Sequence, residues 1–310
     1  MSWDWSFLKD IINDPEVTEV LLTRHDQIAI EMSGVLRLTN LKFSGIYEYQ
    51  KFASLLADEI QAPLNQSKPW SEGFFERMRI HIVSGDATHS EPAISIRKHP
   101  ERVWTFDLLA SKSWAPPEAF HALREWIVSR QNILVVGTTG AGKTSLLQAC
   151  LHEVSAEQRC VILEDTRELK NPNPLSTQLL ARPSGRGLLP EITLQDLFVQ
   201  ALRMRPDRLI LGEVRSTEAK DLLLALSTGH RGSMGSLHAE SDRQALLRLE
   251  MLVQMGAPQW SVETIRRLIS LSIHGIAVVE KVKGQRRLRS LSQIAGLESN
   301  GLLLDPLFER

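Results

Sequence analysis

An eight-residue stretch near the middle of the chain has the spacing of a phosphate-binding loop. Residues 137–144 read GTTGAGKT, which fits the pattern G-x-x-x-x-G-K-[ST]. Glycines let successive backbone N–H groups turn inward around a polyanion, and a following helix adds its N-terminal dipole. Lys143 can reach the outer phosphates of a nucleotide, and the Thr144 hydroxyl can hold Mg²⁺. The residues predicted to bind the nucleotide are Gly137, Thr138, Thr139, Gly140, Ala141, Gly142, Lys143, Thr144 and Ser145.

Two short apolar runs end in carboxylates. Residues 160–165 read CVILED and residues 208–213 read RLILGE. Ligands bind at the carboxyl ends of strands in an open α/β sheet, so Glu164, Asp165 and Glu213 are predicted to converge on the same nucleotide. One of these carboxylates would orient or deprotonate water, and another would hold Mg²⁺. For Asp165 the alternative is an exposed loop residue without a role at the nucleotide.

Arginines and histidines form a third group of candidates. RMRPDR at 203–208 precedes the second acidic run and Arg215 follows it, which fits phosphate contacts, an arginine finger or solvated helix ends. His238 ends a further apolar run, and a neutral imidazole can donate one hydrogen bond and accept another. Arg79 and Arg97 lie in alternating segments, where they mark either a polar face or a phosphate contact.

The sequence pattern, and with it the predicted secondary structure that positions these residues, changes near residue 112. Before it, alternating apolar and polar residues predict a sheet, with a helix that begins after Ser44 as its N-cap. After it, apolar runs alternate with helical stretches, which predicts a largely parallel sheet covered by helices. We therefore expect an α+β domain over 1–112 and an α/β domain over 113–310.

The expected elements can be placed individually. Three short strands are predicted within 17–38, followed by strands at 76–83, 91–97, 132–136, 160–164, 208–211 and 234–237. Helices are predicted at 117–130, 143–153, 193–204, 216–227, 241–255 and 259–272. A hairpin that turns at Lys283–Gln285 is predicted near the end.

Composition excludes several classes of protein. Of 310 residues, 43% are hydrophobic and 24% charged, which excludes disordered, collagen-like and coiled-coil chains. The 36 basic and 37 acidic residues argue against a protein built to bind nucleic acid. Two cysteines exclude a disulfide framework and a four-cysteine zinc site. No signal peptide or apolar run of about 20 residues is visible, so we expect a cytoplasmic protein whose membrane association is peripheral.

Taken in order, these residues resemble the secretion ATPase superfamily of type II and type IV secretion and type IV pili. The similarity is greatest to the CpaF branch, the motor of tight-adherence (Tad) pili. The stretches that carry it are AISIRKHPERVWTFDLL, NILVVGTTGAGKTSLLQA, VILEDTREL, RMRPDRLILGEVR and TGHRGSMGSLHAE.

The resemblance implies a RecA-like P-loop ATPase domain behind a smaller α+β N-terminal domain, with ATP and Mg²⁺ bound between the two. It implies a homo-hexamer, peripheral at the inner membrane, that powers pilus assembly or secretion through a membrane platform protein. Glu164 would fall in the acidic box that holds the water-activating glutamate, Glu213 in the atypical Walker B box and His238 in the histidine box. Nucleotide or subunit-interface contacts are implied for Arg79, Arg97, Arg203, Arg205 and Arg215, and magnesium contacts for Thr144, Glu213 and Asp165.

Two positions depart from the family pattern. Arg231 stands where an acid is usual after the first histidine of the box, and Glu240 stands where asparagine is usual after the second. Because of these departures, a regulatory ring that binds nucleotide but hydrolyses little of it is one alternative function. A P-loop NTPase of another class, such as a small-molecule kinase, is the other alternative.

Overall fold

A computed structural model describes residues 7–32, 34–65, 68–88, 91–98, 103–182, 190–298 and 301–310. It divides the chain into two compact units. The first unit is Met1–Arg102 with Pro183–Glu191, and the second is Val103–Arg182 with Ile192–Arg310. None of the helices in the described residues combines the length and the hydropathy that crossing a bilayer requires.

The first unit is built on an antiparallel sheet. In its described part, six strands lie in the order β3-β2-β1-β6-β5-β4. The strands are β1 (Val17–Arg24), β2 (Gln27–Met32), β3 (Val35–Leu38), β4 (Trp70–Phe75), β5 (Met78–Val83) and β6 (Ala93–Lys98). The helices are α1 (Lys9–Asn13) and α2 (Ile46–Glu59), and a 3₁₀ turn spans Gly85–Thr88.

Alternation along the strands gives this sheet one apolar and one polar face. Ile80 and Ile96 are fully buried in a cluster that includes Leu56 of α2. Their neighbours Arg79 and Arg97 point to the opposite face because successive strand residues alternate. The helix that covers the apolar face begins at Ile46. Its N-cap is Gly45, and no side chain caps it, so the prediction of Ser44 as N-cap is wrong.

The second unit contains a mixed sheet. Eight strands of its described part lie in the order β14-β13-β12-β7-β11-β10-β8-β9. They are β7 (Ile133–Gly137), β8 (Cys160–Glu164), β9 (Thr177–Leu180), β10 (Arg208–Val214), β11 (Met234–His238), β12 (Gly275–Val282), β13 (Gln285–Glu298) and β14 (Gly301–Glu309). The strands from β12 to β9 are parallel, and β12, β13 and β14 pair antiparallel.

Helices cover both faces of this sheet. They are α3 (Phe106–Ser111), α4 (Pro117–Val128), α5 (Lys143–His152), α6 (Leu194–Ala201), α7 (Glu218–Ser227), α8 (Asp242–Gly256) and α9 (Val262–Ser272). Leu134 and Val136 of β7 join a core cluster with α6 to α9, whereas Ile133 and Val135 join one with α3 to α5. Because both faces are covered, β7 and β8 are buried throughout and, apart from Glu164 at the end of β8, contain no charged residue, as the sequence predicted.

Strand register defines two opposite edges of the parallel part of the sheet. Gly137 pairs with His238, and Leu163 pairs with Leu211. Gly137, Glu164, Glu213 and His238 therefore lie at or next to the strand ends on one side, which we call the carboxyl edge. The residues that begin the strands lie at the opposite side, which we call the amino edge.

Several elements differ from the predictions. The compact units change over at residues 102 and 103, and α3 packs in the second unit, whereas the predicted boundary lies ten residues later. The edge strands β4, β9 and β14 and the helix α3 were not predicted. The C-terminal hairpin is confirmed, and its turn consists of Lys283 and Gly284, both with positive φ.

Arg208, the last residue of RMRPDR, is a structural residue. Its side chain is 2% exposed at the start of β10. The guanidinium donates to Gln158 Oε1 at 2.7 Å, to the Ile127 carbonyl at 2.7 Å and to the Gly232 carbonyl at 3.0 Å. It thereby joins the end of α4 to two loops at the amino edge, and its guanidinium is taken up by acceptors of the protein itself.

We predict that Arg208→Met destabilises the protein by about 3 kcal/mol, because two buried carbonyl acceptors and the half-buried Gln158 amide lose their donor. Urea denaturation followed by circular dichroism would measure this. The matched control is Arg203→Met at an exposed position, for which the change should stay within about 0.5 kcal/mol. Equal unfolding midpoints for the two variants would contradict the role of Arg208.

Candidate nucleotide-binding site

The glycine loop connects β7 to α5 at the carboxyl edge. Gly142, directly before α5, has a φ of 103°, which lies in the left-handed region that favours glycine. A Cβ at Gly142 would also overlap the buried ring of Trp114. A Cβ at Gly137 would come within 2.5 Å of the Val279 carbonyl oxygen. The structure thus leaves no room for a side chain at these two glycines, and the N-terminus of α5 opens directly from the loop, as a phosphate cradle requires.

Lys143 lies across the loop. Its ammonium donates to the carbonyl oxygens of Gly137 at 3.1 Å and Thr138 at 3.3 Å. The same Nζ lies 3.9 Å from Oε1 of Glu213 on β10. The structure therefore brings the predicted phosphate lysine and one predicted acid together at the loop.

Thr144 contacts a carboxylate that the sequence analysis did not single out. Its hydroxyl donates to Glu168 Oε2 at 2.8 Å. Because the hydroxyl donates this bond, its oxygen lone pairs remain available to a cation. Glu168 lies four residues beyond the end of β8, in a loop without periodicity, so its position relative to a strand gave no signal. The only hint was a third acid in the stretch LEDTRE.

Glu164 is placed differently from the sequence prediction. Its side chain is 2% exposed, and Oε1 accepts from the backbone N–H groups of Glu168 at 3.1 Å and Leu169 at 3.0 Å. Oε2 accepts from Gln178 of β9 at 2.8 Å. A Cβ at Gly212 would lie 2.8 Å from Cγ of Glu164, so glycine at that position leaves the space that the carboxylate side chain fills.

Burial has the largest effect on the pKa of Glu164. Removal from water raises its pKa to about 7, against the lowering effect of the hydrogen bonds from Leu169, Glu168 and Gln178. The charge of Glu168 raises the pKa further. At neutral pH this group is therefore a mixture of acid and carboxylate, and it holds the loop that carries Glu168.

Arg215 bridges two of the predicted acids. Its Nε donates to Glu213 Oε2 at 2.8 Å, and its Nη1 lies 3.2 Å from Asp165 Oδ2. Burial lowers the pKa of Arg215, but the hydrogen bonds and charges of Glu213 and Asp165 outweigh it and raise the pKa above its usual value. Glu218, 4% exposed, accepts from the backbone N–H groups of Arg215 and Ser216 and so fixes the turn.

The remaining predicted site residues lie in three different places: the carboxyl edge, the amino edge and the first unit. His238 lies beside Gly137 and is partly buried, and in the part of the chain that is described nothing forms a hydrogen bond with its ring. Arg203 and Arg205 lie before β10, at the amino edge, about 20 Å from the carboxyl edge at the rise of a strand. They do not approach the loop of their own chain, and contacts to a neighbouring copy stay a prediction.

Arg79 and Arg97 lie directly opposite each other on β5 and β6 of the first unit. Arg79 Nε donates to Glu72 Oε1 at 2.8 Å, and Arg97 pairs in register with Glu19 of β1. The two arginines thus share one polar face. Their predicted contact with a nucleotide stays a prediction.

A glycine loop between a parallel strand and a helix, with a lysine, a threonine and strand-end acids around it, is the arrangement of P-loop nucleoside-triphosphate-binding proteins. The described side chains fit a triphosphate and Mg²⁺: Lys143 places an ammonium group at the loop, and the Thr144 hydroxyl faces a carboxylate.

The chain belongs to the type II/IV secretion system protein family, whose model matches residues 78–293. A putative conjugal transfer protein of Mycobacterium tuberculosis is 33% identical over 256 residues, which are 80% of this chain and 73% of that protein. The VirB11 ATPase of the Brucella suis type IV secretion system has a TM-score of 0.52 at 25% identity, with 93% and 92% of the chains covered. The pilus retraction motor PilT with bound ADP has a TM-score of 0.68 at 18% identity, with 94% and 83% covered. The expected fold class, with an N-terminal domain and a RecA-like domain, is confirmed.

The raised pKa of Glu164 predicts a pH dependence of folding. Between its unfolded pKa of about 4.5 and its folded pKa of about 7, the folded state binds more protons than the unfolded state, so stability falls as pH rises through this window. Relative to Glu164→Gln, the wild type should lose about 3 kcal/mol between pH 4.5 and pH 8. Denaturation of the metal-free protein at several pH values measures this difference, and parallel curves for the two proteins would contradict it.

Proposed function

We propose that this protein is a Mg²⁺-dependent ATPase that works as a ring-shaped motor of a secretion, conjugal-transfer or pilus machine. The observation that carries the proposal is the convergence of Lys143, the Thr144–Glu168 pair and Glu213 on one glycine loop. Membership in the secretion family and the names of its relatives support the coupling of this chemistry to transport.

The finer assignments rest on the sequence resemblance. They are a homo-hexamer, a membrane platform protein as partner, a cytoplasmic position peripheral to the inner membrane, and the Tad pilus motors of the CpaF branch as the nearest group. The conjugal-transfer and VirB11 relatives support a type IV secretion machine equally well. Both machines need the same conversion of ATP hydrolysis into movement.

Binding of a triphosphate would change the partners of two cations. Lys143 would exchange the Gly137 and Thr138 carbonyls for phosphate oxygens, which are stronger acceptors. Thr144 and Glu213, with Asp165 nearby, would hold Mg²⁺, which would neutralise charge on the phosphates. Arg215 must release Glu213 for that role, and its guanidinium then becomes available to the charge that develops on the transferred phosphoryl group.

Glu168 is the carboxylate best placed to orient the attacking water. It is one hydrogen bond from Thr144, whereas the carboxylate of Glu164 is enclosed by three donors. We therefore assign water activation to Glu168 and the positioning of its loop to Glu164. His238, beside the loop, is proposed to sense the outer phosphate.

We predict that Glu168→Gln lowers the ATP hydrolysis rate about 100-fold, the usual effect of removing a general base, while nucleotide binding persists. Lys143→Ala should abolish both turnover and tight binding. Phosphate release and binding of a fluorescent ATP analogue measure the two effects. The matched control, Glu263→Gln at an exposed position of α9, should hydrolyse ATP at the wild-type rate. A Glu168→Gln variant with normal turnover would overturn the assignment.

The ring is tested by the dependence of turnover on protein concentration. If neighbouring copies complete the site, activity per chain rises with concentration together with the assembled fraction seen in analytical ultracentrifugation. Flat, substantial activity per chain would instead favour a monomeric P-loop enzyme. Nucleotide binding without turnover at any concentration would favour the regulatory ring.

A further inference from the structure

One arginine of the C-terminal hairpin reaches the phosphate loop. Arg286 lies at the start of β13, and its Nε donates to the carbonyl oxygen of Gly140 at 2.9 Å. β13 pairs with β12, which lies beside β7, so the hairpin stands next to the loop on the side away from β11 and β10. The contact therefore comes from the side of the loop opposite to Glu213 and His238.

Gly140 is a loop residue whose conformation side-chain packing does not fix. Residues 138–141 form a turn, in which the last N–H donates to the first carbonyl at 3.2 Å. Gly140 has a φ of 73°, which glycine adopts at little cost. A Cβ at Gly140 would meet no atom of a described residue within 4 Å beyond its chain neighbours, whereas Cβ atoms at Gly137 and Gly142 would overlap theirs. Another contact must therefore hold this part of the loop in place.

The hydrogen bond from Arg286 fixes the orientation of one peptide group. In a trans peptide the carbonyl of Gly140 and the N–H of Ala141 point in opposite directions. Arg286 holds the carbonyl towards the hairpin, so the N–H turns across the loop towards the Thr138 carbonyl. Within the described part of the chain, no backbone N–H donates to the Gly140 carbonyl. Without Arg286 this peptide group is free to rotate and to turn its carbonyl, which repels phosphate, into the loop.

The aliphatic stem of the same arginine also borders the loop. A Cβ at Gly142 would lie 3.2 Å from Cδ of Arg286 and still closer to the ring of Trp114, so both side chains border this glycine. Leu288, two residues after Arg286, donates its N–H to the Trp114 carbonyl at 2.9 Å. The first residues of β13 therefore hold both side chains in place at the loop.

We propose that Arg286 is a positioning residue, which holds the phosphate loop in its phosphate-binding shape both before and after nucleotide binds. Lys143 gives up the Gly137 and Thr138 carbonyls when phosphate arrives. Arg286 keeps its partner, because a phosphate cradle turns its N–H groups inward and the Gly140 carbonyl therefore points out of it. This role rests on the proposed nucleotide binding at the same loop.

Amide hydrogen exchange of the full chain without nucleotide tests the proposal. Arg286→Met keeps most of the stem but removes the donor, so exchange in a peptide that covers residues 138–142 should become about fivefold faster. The matched control is Arg287→Met. Arg287 is the next residue of β13, points to the other face of the sheet and donates to Glu280 Oε1 at 2.7 Å, so its replacement should leave exchange in the loop unchanged.

Nucleotide affinity and turnover give a second readout. Because the loop binds phosphates that ATP and ADP share, Arg286→Met should weaken the binding of both about tenfold, the usual effect of losing a hydrogen bond from a charged donor. The KM for ATP should rise by the same factor, whereas kcat should stay within about twofold, since the groups that act on water are unchanged. Isothermal titration calorimetry and phosphate release measure these values, and Arg287→Met should match the wild type in all of them.

Other outcomes would overturn the role of Arg286. Unchanged exchange in the loop of folded Arg286→Met, verified by circular dichroism, would do so, as would equal effects of Arg286→Met and Arg287→Met. Loss of ATP binding and of kcat with normal ADP binding would instead make Arg286 a contact of the outer phosphate. If the wild type neither binds nor hydrolyses ATP, the proposed function fails, and the exchange experiment still decides whether Arg286 holds the loop.

Discussion

Burying a carboxylate beside the phosphate loop costs free energy, and Glu164 offsets this cost with three hydrogen bonds, two of which come from one short segment. Two of its donors are successive backbone N–H groups at residues 168 and 169, and the third is the side chain of the neighbouring strand β9. The bend after β8 is thereby fixed. Glu168 reaches Thr144, and Gly212 of the adjacent strand leaves the necessary space.

The two edges of the sheet use arginine in different ways. At the carboxyl edge Arg215 contacts two carboxylates, which are side-chain acceptors. At the amino edge Arg130, Arg159 and Arg208 donate mainly to backbone carbonyls, which they cannot exchange without unfolding the loops. Residue type alone does not separate these roles, because the difference lies in whether the acceptor is a mobile side chain or fixed backbone.

The sequence predicted the parts of the site that local pattern determines. The glycine loop and the acids that end β8 and β10 follow from strand periodicity and spacing, and the structure brings Lys143 and Glu213 together as expected. The roles within the pair Glu164 and Glu168 could not be predicted, because they depend on which carboxylate is enclosed by β9, a short edge strand without a clear alternating pattern. The distance of Arg203 and Arg205 from the loop of their own chain depends on strand direction and was not predicted, and their contact with a neighbouring copy stays a prediction. β14 was not predicted, because its sequence, GLLLDPLFE, contains a proline and little alternation of apolar and polar residues.

The close packing of Gly142 against Trp114 gives the loop an intrinsic optical reporter. The indole ring is buried against the first residue before α5, and the ring of Trp104 lies 6.2 Å away, near enough to exchange excitation energy with it. Any rearrangement of the loop alters the surroundings of this indole pair. Seven tryptophans contribute to the emission of the unlabelled protein, and one part of that emission comes from this pair beside the loop. A change of the loop that reaches the pair should therefore alter that part of the emission.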